Sequence, residues 1–222
     1  MHPHDVLIPP FGLPGRLSVP GNPRGLIAFA HGSGSSRFSP RNTAVANALN
    51  ERRFATLLFD LLTPAEEQNR SNVFDVVLLA ERLMTAVNWL EGQTRAIASL
   101  PVGLFGASTG AAAALVAAAR LPDRIAAVVS RGGRPDLAGE ALPLVRAPTL
   151  LIVGGADFGV IELNEDALTR LHGPKAIEII SGATHLFPEP GAMEAVIEHA
   201  GQWFERYLQA PGSVQAASKE GT

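Results

Sequence analysis

Short apolar runs that alternate with helix-length segments limit most strongly what this 222-residue chain can fold into. The runs are rich in valine, isoleucine, leucine and phenylalanine, and they occupy residues 25–32, 54–62, 100–108, 124–133, 147–157 and 176–184. Helical patterns lie between or after them, near residues 40–52, 73–96, 109–120, 161–172 and 190–208. Nearly continuous apolar strands separated by helices are typical of a mostly parallel sheet covered by helices on both faces.

The same pattern predicts a single α/β domain over residues 1–208, without an internal repeat or a linker. The stretches "VLIP" and "RLSVPG" near the start are weaker candidates for edge strands. Residues 209–222 are small and polar without periodicity, so we expect a disordered tail there.

The composition excludes several classes of site and partner. The chain has no cysteine, which rules out disulfides, thiolate metal sites and a cysteine nucleophile. Its formal net charge of −3 gives no reason to expect nucleic acid or an anionic membrane as a partner. The N-terminus is broken by prolines and lacks the apolar core of a signal peptide, and the longest apolar stretches are too short for a membrane span. We therefore expect a cytoplasmic protein.

A serine between two glycines stands where one apolar run ends and an alanine-rich helix begins. Residues 106–110, "GASTG", match the pattern G-x-S-x-G. A sharp turn from strand to helix imposes strained backbone angles, and the flanking glycines relieve the crowding. The turn exposes the Ser108 hydroxyl above a helix N-terminus, which favours developing negative charge. A structural turn with a buried serine is the alternative, but this context favours a nucleophile.

A serine hydroxyl needs a base to take its proton, and the chain has six histidines. His185 follows the last apolar run, in "SGATHLF", so we expect it in a loop at the same sheet edge as Ser108. The others have more ordinary explanations, namely a loose N-terminus, a glycine-rich loop, a helix end and a helix surface: His2 and His4, His31, His172, and His199, respectively. His185 is therefore the predicted base, with a structural loop histidine as the alternative.

The base in turn needs a carboxylate that fixes its tautomer. Asp157 ends the run "TLLIVGGAD", whose strand lies nearest in sequence to the last one, and is the favoured candidate. Asp136 is the main rival and Asp60 a weaker one, while a simple turn aspartate remains the plain explanation for Asp157.

The negative oxygen of a tetrahedral intermediate needs hydrogen-bond donors. We expect the backbone N–H of Thr109, directly after the nucleophile, to be one of them. The loop "HGSGSS" after the first long run should supply the second, from Ser33 with Gly34 next to it. His31 would then orient this loop, and an ordinary glycine-rich turn is the alternative.

Four ordered motifs carry a family resemblance: "HGSGSSRFSPRN", "FGASTGAAAAL", "LLIVGGAD" and "SGATHLFPEPGAMEAV". Together they resemble the dienelactone-hydrolase-related branch of the α/β-hydrolase superfamily, over nearly all of residues 20–208. The resemblance implies the α/β-hydrolase fold and a Ser108–His185–Asp157 carboxylesterase acting on small carboxylic esters, with no metal or organic cofactor. Dienelactone hydrolases proper use a cysteine nucleophile, so the serine at position 108 argues against dienelactone itself as the substrate.

Two features bear on the substrate. Only about fifteen residues, "RPDLAGEALPLVRAP", separate two of the runs where many relatives insert a helical cap, so we expect no cap domain and an open cleft. Arginines recur in the loops predicted at the reactive edge: Arg37, Arg41, Arg131 and Arg134. Guanidinium groups bind carboxylates and phosphates well, so an anionic substrate is a second hypothesis beside ordinary surface ion pairs.

The sequence leaves rival functions open. A thioesterase, an amidase or a perhydrolase would use the same three side chains, because the pocket decides among these acyl transfers. A non-catalytic protein of this fold that binds a small ligand is a further alternative. Epoxide and haloalkane cleavage is disfavoured because those relatives have aspartate where this chain has Ser108.

Overall fold

The computed structural model describes residues 3–208, which form a three-layer α/β structure around one eight-stranded sheet. The strands are β1 (His4–Ile8), β2 (Leu13–Ser18), β3 (Gly25–Ala30), β4 (Phe54–Phe59), β5 (Val102–Ala107), β6 (Ile125–Arg131), β7 (Thr149–Gly154) and β8 (Lys175–Ile180). Their order is β1-β2-β4-β3-β5-β6-β7-β8. β2 is antiparallel to both of its neighbours, and every pair from β4 to β8 is parallel. The carboxyl ends of the parallel strands therefore meet at one edge.

Helices cover both faces of the sheet. They are α1 (Pro40–Glu51), α2 (Pro64–Glu67), α3 (Arg70–Phe74), α4 (Val76–Glu91), α5 (Arg95–Ala98), α6 (Thr109–Arg120), α7 (Val160–Arg170) and α8 (Ala192–Tyr207). α1 and α8 pack against one face, with Phe29 and Phe105, while α4, α6 and α7 pack against the other, with Leu104. Both faces of the central strands are thus buried, which explains their continuous apolar runs.

The alanine-rich helix α6 lies in the middle of its layer and is buried from Thr109 to Ala118. Alanine side chains are small, so the helix backbone approaches the sheet closely. This close packing fixes the N-terminus of α6 directly behind the end of β5.

The predicted α/β-hydrolase fold is confirmed, and residues 3–208 contain no cap domain. Both N-terminal candidates form strands, but only β1 lies at the sheet edge, because β2 pairs with β1 and β4. The segment expected to be too short for a cap forms 3₁₀ turns over Pro135–Leu144, with a break at Gly139. The pattern near residues 73–96 is divided, because Asp75 caps α4 and separates it from α3. His4 lies in β1, paired with Leu17, so its placement in a loose N-terminus was wrong.

Two predictions fall at the limits of the described chain. The tail predicted over residues 209–222 and the position of His2 lie outside the described residues. Within residues 3–208, none of the helices is long and apolar enough to cross a bilayer.

Candidate active site

Ser108 occupies the turn between β5 and α6 and has the backbone angles φ 52° and ψ −122°. A residue with a side chain adopts this region only when its surroundings hold it there. The Ser108 N–H donates to the carbonyl of Arg131 at 3.3 Å, and the Ser108 carbonyl accepts from Ala111 and Arg134 at 3.1 and 3.2 Å. Three backbone hydrogen bonds therefore fix the turn.

The glycines of the G-x-S-x-G motif are required by close backbone approach. A Cβ at Gly106 would lie 2.4 Å from the Cα of Ala111, and one at Gly110 would lie 2.2 Å from the carbonyl oxygen of Ala30. Gly110 thus lets α6 begin against the end of β3, and Gly106 lets β5 pass beneath α6. Both glycines serve the crowded turn, as the sequence predicts.

His185 and Asp157 are joined by a hydrogen bond of 2.7 Å between Nδ1 and Oδ2. Asp157 follows β7 and its side chain is largely buried, while His185 lies in the loop after β8 and is partly exposed. The two loops meet closely, because a Cβ at Gly154 would lie 2.4 Å from the carbonyl oxygen of Ala183. The structure therefore brings the predicted base and acid together across 28 residues of sequence.

The rival carboxylates are engaged elsewhere. Asp136 accepts two hydrogen bonds of 2.8 Å from Arg134. Asp60 accepts from the backbone N–H of Arg37 at 2.7 Å and pairs with its guanidinium. Geometry thus favours Asp157 over both of them as the partner of the histidine.

Ser108 and His185 lie on adjoining loops of the carboxyl edge. The residue after Arg131 is Gly132, where a Cβ would lie 2.9 Å from the carbonyl oxygen of His185 and 3.6 Å from its Nδ1. Among residues 3–208, the Ser108 hydroxyl makes no hydrogen bond to the His185 ring. In serine hydrolases without substrate this bond is often long or poorly aligned, and it tightens in the substrate complex.

His31 holds the loop after β3. The N–H of Leu61 donates to His31 Nε2 at 3.2 Å, so the ring proton is on Nδ1 and donates to the carbonyl of Gly32 at 3.0 Å. Burial lowers the pKa of His31 below its usual 6.5, which keeps the ring neutral at neutral pH. This arrangement fits the predicted orienting role of His31.

The loop that begins at Gly32 packs directly against Ser108. A Cβ at Gly32 would lie 2.9 Å from the Cβ of Ser108, so glycine is needed for this approach. The N–H of Ser33 donates to the hydroxyl of Thr109 at 3.1 Å. Thr109 is the first residue of α6, so its own N–H precedes the hydrogen-bond ladder of the helix. Gly34 follows with φ 69° and turns the loop outward.

The four predicted arginines divide into two pairs. Arg37 and Arg134 bind the carboxylates of Asp60 and Asp136, respectively. Within the described part of the chain, neither Arg41 nor Arg131 has a carboxylate oxygen within 4.0 Å.

A cavity of about 720 Å³ is lined by the Gly32 loop, which contacts Ser108. The residues that line it include Ser33, Phe38, Arg41, Leu79 and Leu186. Leu186 directly follows His185, so the cavity reaches from the Gly32 loop to the histidine loop. Its mixed apolar and polar lining can hold a small organic group.

The histidines at positions 172 and 199 lie in other parts of the structure. His172 is exposed after α7, and His199 lies in α8 with Nδ1 3.9 Å from a carboxylate oxygen of Glu178.

One contact near His185 was not predicted. Glu189 accepts hydrogen bonds from the hydroxyl and the N–H of Thr184, at 2.7 and 3.1 Å, and these bonds lower its pKa. The contact braces the residue before His185, and only the spacing of five residues in a turn could have indicated it.

Comparisons with known proteins identify the family and support the fold. The dienelactone hydrolase family matches residues 45–210. A crystal structure of dienelactone hydrolase from Anabaena variabilis is 52% identical, has a TM-score of 0.89, and covers 94% of this chain and 100% of its own. The protein XC6422 from Xanthomonas campestris, described as an α/β serine hydrolase without a lid, is 20% identical with a TM-score of 0.73 over 94% of this chain and 96% of its own, which supports the fold alone.

Two curated proteins from Mycobacterium tuberculosis strains carry a provisional phosphoribosyl transferase name and are 58% identical over 207 residues. The match covers 93% of this chain but 46% of each relative, so the chain spans about half of their length. The family match, the Anabaena structure and the sheet topology all point to one family. The chain belongs to the dienelactone hydrolase family, a family of hydrolases with the α/β-hydrolase fold.

Proposed function

We propose that this hydrolase is a carboxylesterase that forms an acyl-enzyme on Ser108, with His185 as the base and Asp157 as its orienting acid. The observation that carries the proposal is the 2.7 Å bond between His185 and Asp157, at the sheet edge that also presents Ser108. A carboxylate on Nδ1 directs Nε2 toward the reacting groups and stabilises the imidazolium that forms when the serine loses its proton.

In the proposed reaction, Ser108 Oγ attacks the ester carbonyl carbon while His185 Nε2 takes the hydroxyl proton. The carbonyl oxygen becomes negative and accepts hydrogen bonds from the N–H groups of Thr109 and Ser33. The intermediate then expels the alcohol, which receives its proton from His185. A water molecule activated by the same histidine attacks the acyl-enzyme and releases the acid.

The oxyanion site gains further support from its surroundings. The N-terminus of α6 directs its positive end toward the developing charge. Ser33 reaches the site only because Gly32 has no side chain, and the neutral ring of His31 fixes that loop on its other side. Substrate would occupy the adjoining cavity of about 720 Å³.

The first test replaces Ser108 with alanine. Ser108→Ala should reduce hydrolysis of 4-nitrophenyl acetate by about 10³-fold or more, because the covalent step is lost. A fluorophosphonate probe should label the unaltered protein and leave the variant unlabelled. Full activity in the variant would refute the proposal, and absence of labelling in the unaltered protein would indicate a binding protein instead.

The two candidate acids supply a matched comparison in the same assay. Asp157→Asn should lower kcat by roughly 10²–10⁴-fold, because His185 loses the group that fixes its tautomer. Asp136 lies at the same edge, but its carboxylate binds Arg134 and not His185. The kcat of Asp136→Asn should therefore stay within a few-fold of the unaltered protein. The reverse order of effects would reassign the acid.

A further inference from the structure

Within residues 3–208, two of the arginines near the Ser108 edge, Arg131 and Arg41, have no carboxylate partner. Arg131 is the last residue of β6 and pairs in register with Ala107, and its carbonyl accepts the N–H of Ser108. The residue is 6% exposed, so its side chain is buried. Its one side-chain hydrogen bond within residues 3–208 is to Asn42 Oδ1, at 3.5 Å.

The environment of Arg131 does not compensate its charge. The guanidinium carbon lies 5.9 Å from the ring centre of Phe187, two residues after His185, and the buried Nε has no hydrogen-bond partner in the described chain. A buried guanidinium without an anion is costly, because water is lost and no opposite charge replaces it.

Arg41 adds a second positive charge. It is the second residue of α1, lines the cavity beside Ser33, and its Nε is also buried without a partner in residues 3–208. Burial, and then the nearby charge of Arg41, lower the pKa of Arg131 to about 10. Arg131 is therefore still protonated at neutral pH. Its hydrogen bond to Asn42, the residue after Arg41, places it at the start of the same helix as the second charge.

The acids of the cavity do not neutralise this pair. Asp60 lines the cavity but binds Arg37. Glu67 lines it as well, from α2, where its charge acts on His31. Neither acid lies within 4.0 Å of the guanidinium of Arg41 or Arg131.

We propose that Arg41 and Arg131 bind a doubly charged oxyanion of the phosphate-monoester type, carried by the substrate that Ser108 cleaves. Two cations without a carboxylate partner match a dianion better than a single carboxylate. Only the assignment of the anion to the substrate rests on the proposed function. Arg41 lines the cavity. Arg131 contacts Asn42 of α1 and lies near Phe187 of the histidine loop, so the anion would bind at this wall of the cavity.

The binding test measures thermal unfolding of the full chain with millimolar inorganic phosphate, at an ionic strength held constant with sodium chloride. The Tm should rise by about 3 °C or more. Arg131→Met should raise the Tm without phosphate, since a buried unpaired charge is removed, and should abolish the response to phosphate. Arg120→Gln removes a charge from the exposed pair with Glu81 and should keep the full response.

A second variant guards against misfolding of the buried substitution. Arg41→Gln changes a half-buried residue and should reduce the phosphate response without loss of the fold. The proposal is overturned if phosphate leaves the Tm of the unaltered protein unchanged, or if both arginine variants respond as the unaltered protein does.

The kinetic test compares three esters that differ only at the end of a short alkyl chain, which is neutral or bears a carboxylate or a phosphate. The phosphate ester should have a kcat/KM at least about tenfold above that of the neutral ester. In Arg41→Gln and Arg131→Met the ratio of the two should fall to about one, while Arg120→Gln should keep it.

The outcomes separate the two proposals. Equal turnover of the carboxylate and phosphate esters would overturn the assignment to a dianion. Hydrolysis of all three esters without preference would overturn the anion site and support the proposed esterase. A phosphate response in a protein that hydrolyses none of the esters would overturn the proposed function and the assignment to a substrate.

Discussion

His31 shows at the scale of one residue how burial prepares the site. Its ring is neutral because burial disfavours the charged form. Nε2 must also stay unprotonated to accept the Leu61 N–H, while Nδ1 donates to the Gly32 carbonyl. The pKa in the folded state is lowered from 6.5, so the unfolded chain binds more protons below that pH. This contribution to stability is complete above about pH 6.5 and is lost as the pH falls through the lowered value.

The prediction that follows is an acid sensitivity that depends on His31. His31→Gln keeps an acceptor for the Leu61 N–H but cannot gain a proton, so its free energy of unfolding should fall less between pH 6.5 and pH 5. Protonation of one such group changes the slope by at most about 1.4 kcal/mol per pH unit. Urea unfolding at several pH values measures it, and the exposed His172→Gln should keep the original slope. Equal slopes for all three proteins would contradict the argument.

Single residues also mark where sequence reasoning stops. The positions of Ser108, His185 and Asp157 at one sheet edge were each indicated by their place after a strand, because parallel strands bring their carboxyl ends together. The ion-pair partners of the four arginines were not indicated by the sequence. Arg134 and Asp136 are two residues apart, but Arg37 and Asp60 are joined only by the fold, so the sequence could not separate paired from unpaired guanidinium groups.

At the scale of elements, the junction of β5 and α6 both packs α6 against the sheet and holds Ser108 in its turn. α6 is a good helix former by composition, yet its position depends on Gly110, where the backbone of Ala30 and His31 lies in the way of any side chain. The motif and the helix were predictable from local sequence. The short helices α2, α3 and α5 were not, since four or five residues carry no clear periodicity.

Gly110→Ala tests this junction. A Cβ 2.2 Å from a backbone oxygen must push α6 away from β3, so the free energy of unfolding should fall by about 3 kcal/mol or more despite the better helix propensity of alanine. Urea unfolding measures the change. Gly92→Ala, at the end of α4, meets only the Trp89 carbonyl oxygen at 3.5 Å and should stay within about 0.5 kcal/mol. Similar midpoints for both variants would contradict the packing argument.

At the scale of the whole molecule, the absence of a cap determines how the site meets the solvent. The segment Pro135–Leu144 forms only 3₁₀ turns, so no cap domain follows β6 in the described chain. The number of residues available made this predictable. The shape of the cavity beside the Gly32 loop was not, because it depends on α2, α3 and α4 together.

The open edge predicts a preference for short acyl groups. Without a cap, a long acyl chain remains in water and contributes little binding energy. With one leaving group, kcat/KM should be higher for the butyrate ester than for the laurate ester when both are below their aggregation concentrations. Higher kcat/KM for laurate would show that some other surface buries the chain.

Without substrate, the Ser33 N–H that the proposed reaction uses already donates a hydrogen bond to the hydroxyl of Thr109. An arriving ester oxygen would take the place of a neutral hydroxyl, exchanging one hydrogen bond for another of similar strength. Little would be gained at that moment. The hydrogen bond would become stronger only as the ester oxygen becomes an anion. The Thr109 hydroxyl would therefore let Ser33 stabilise the transition state more than the bound ester.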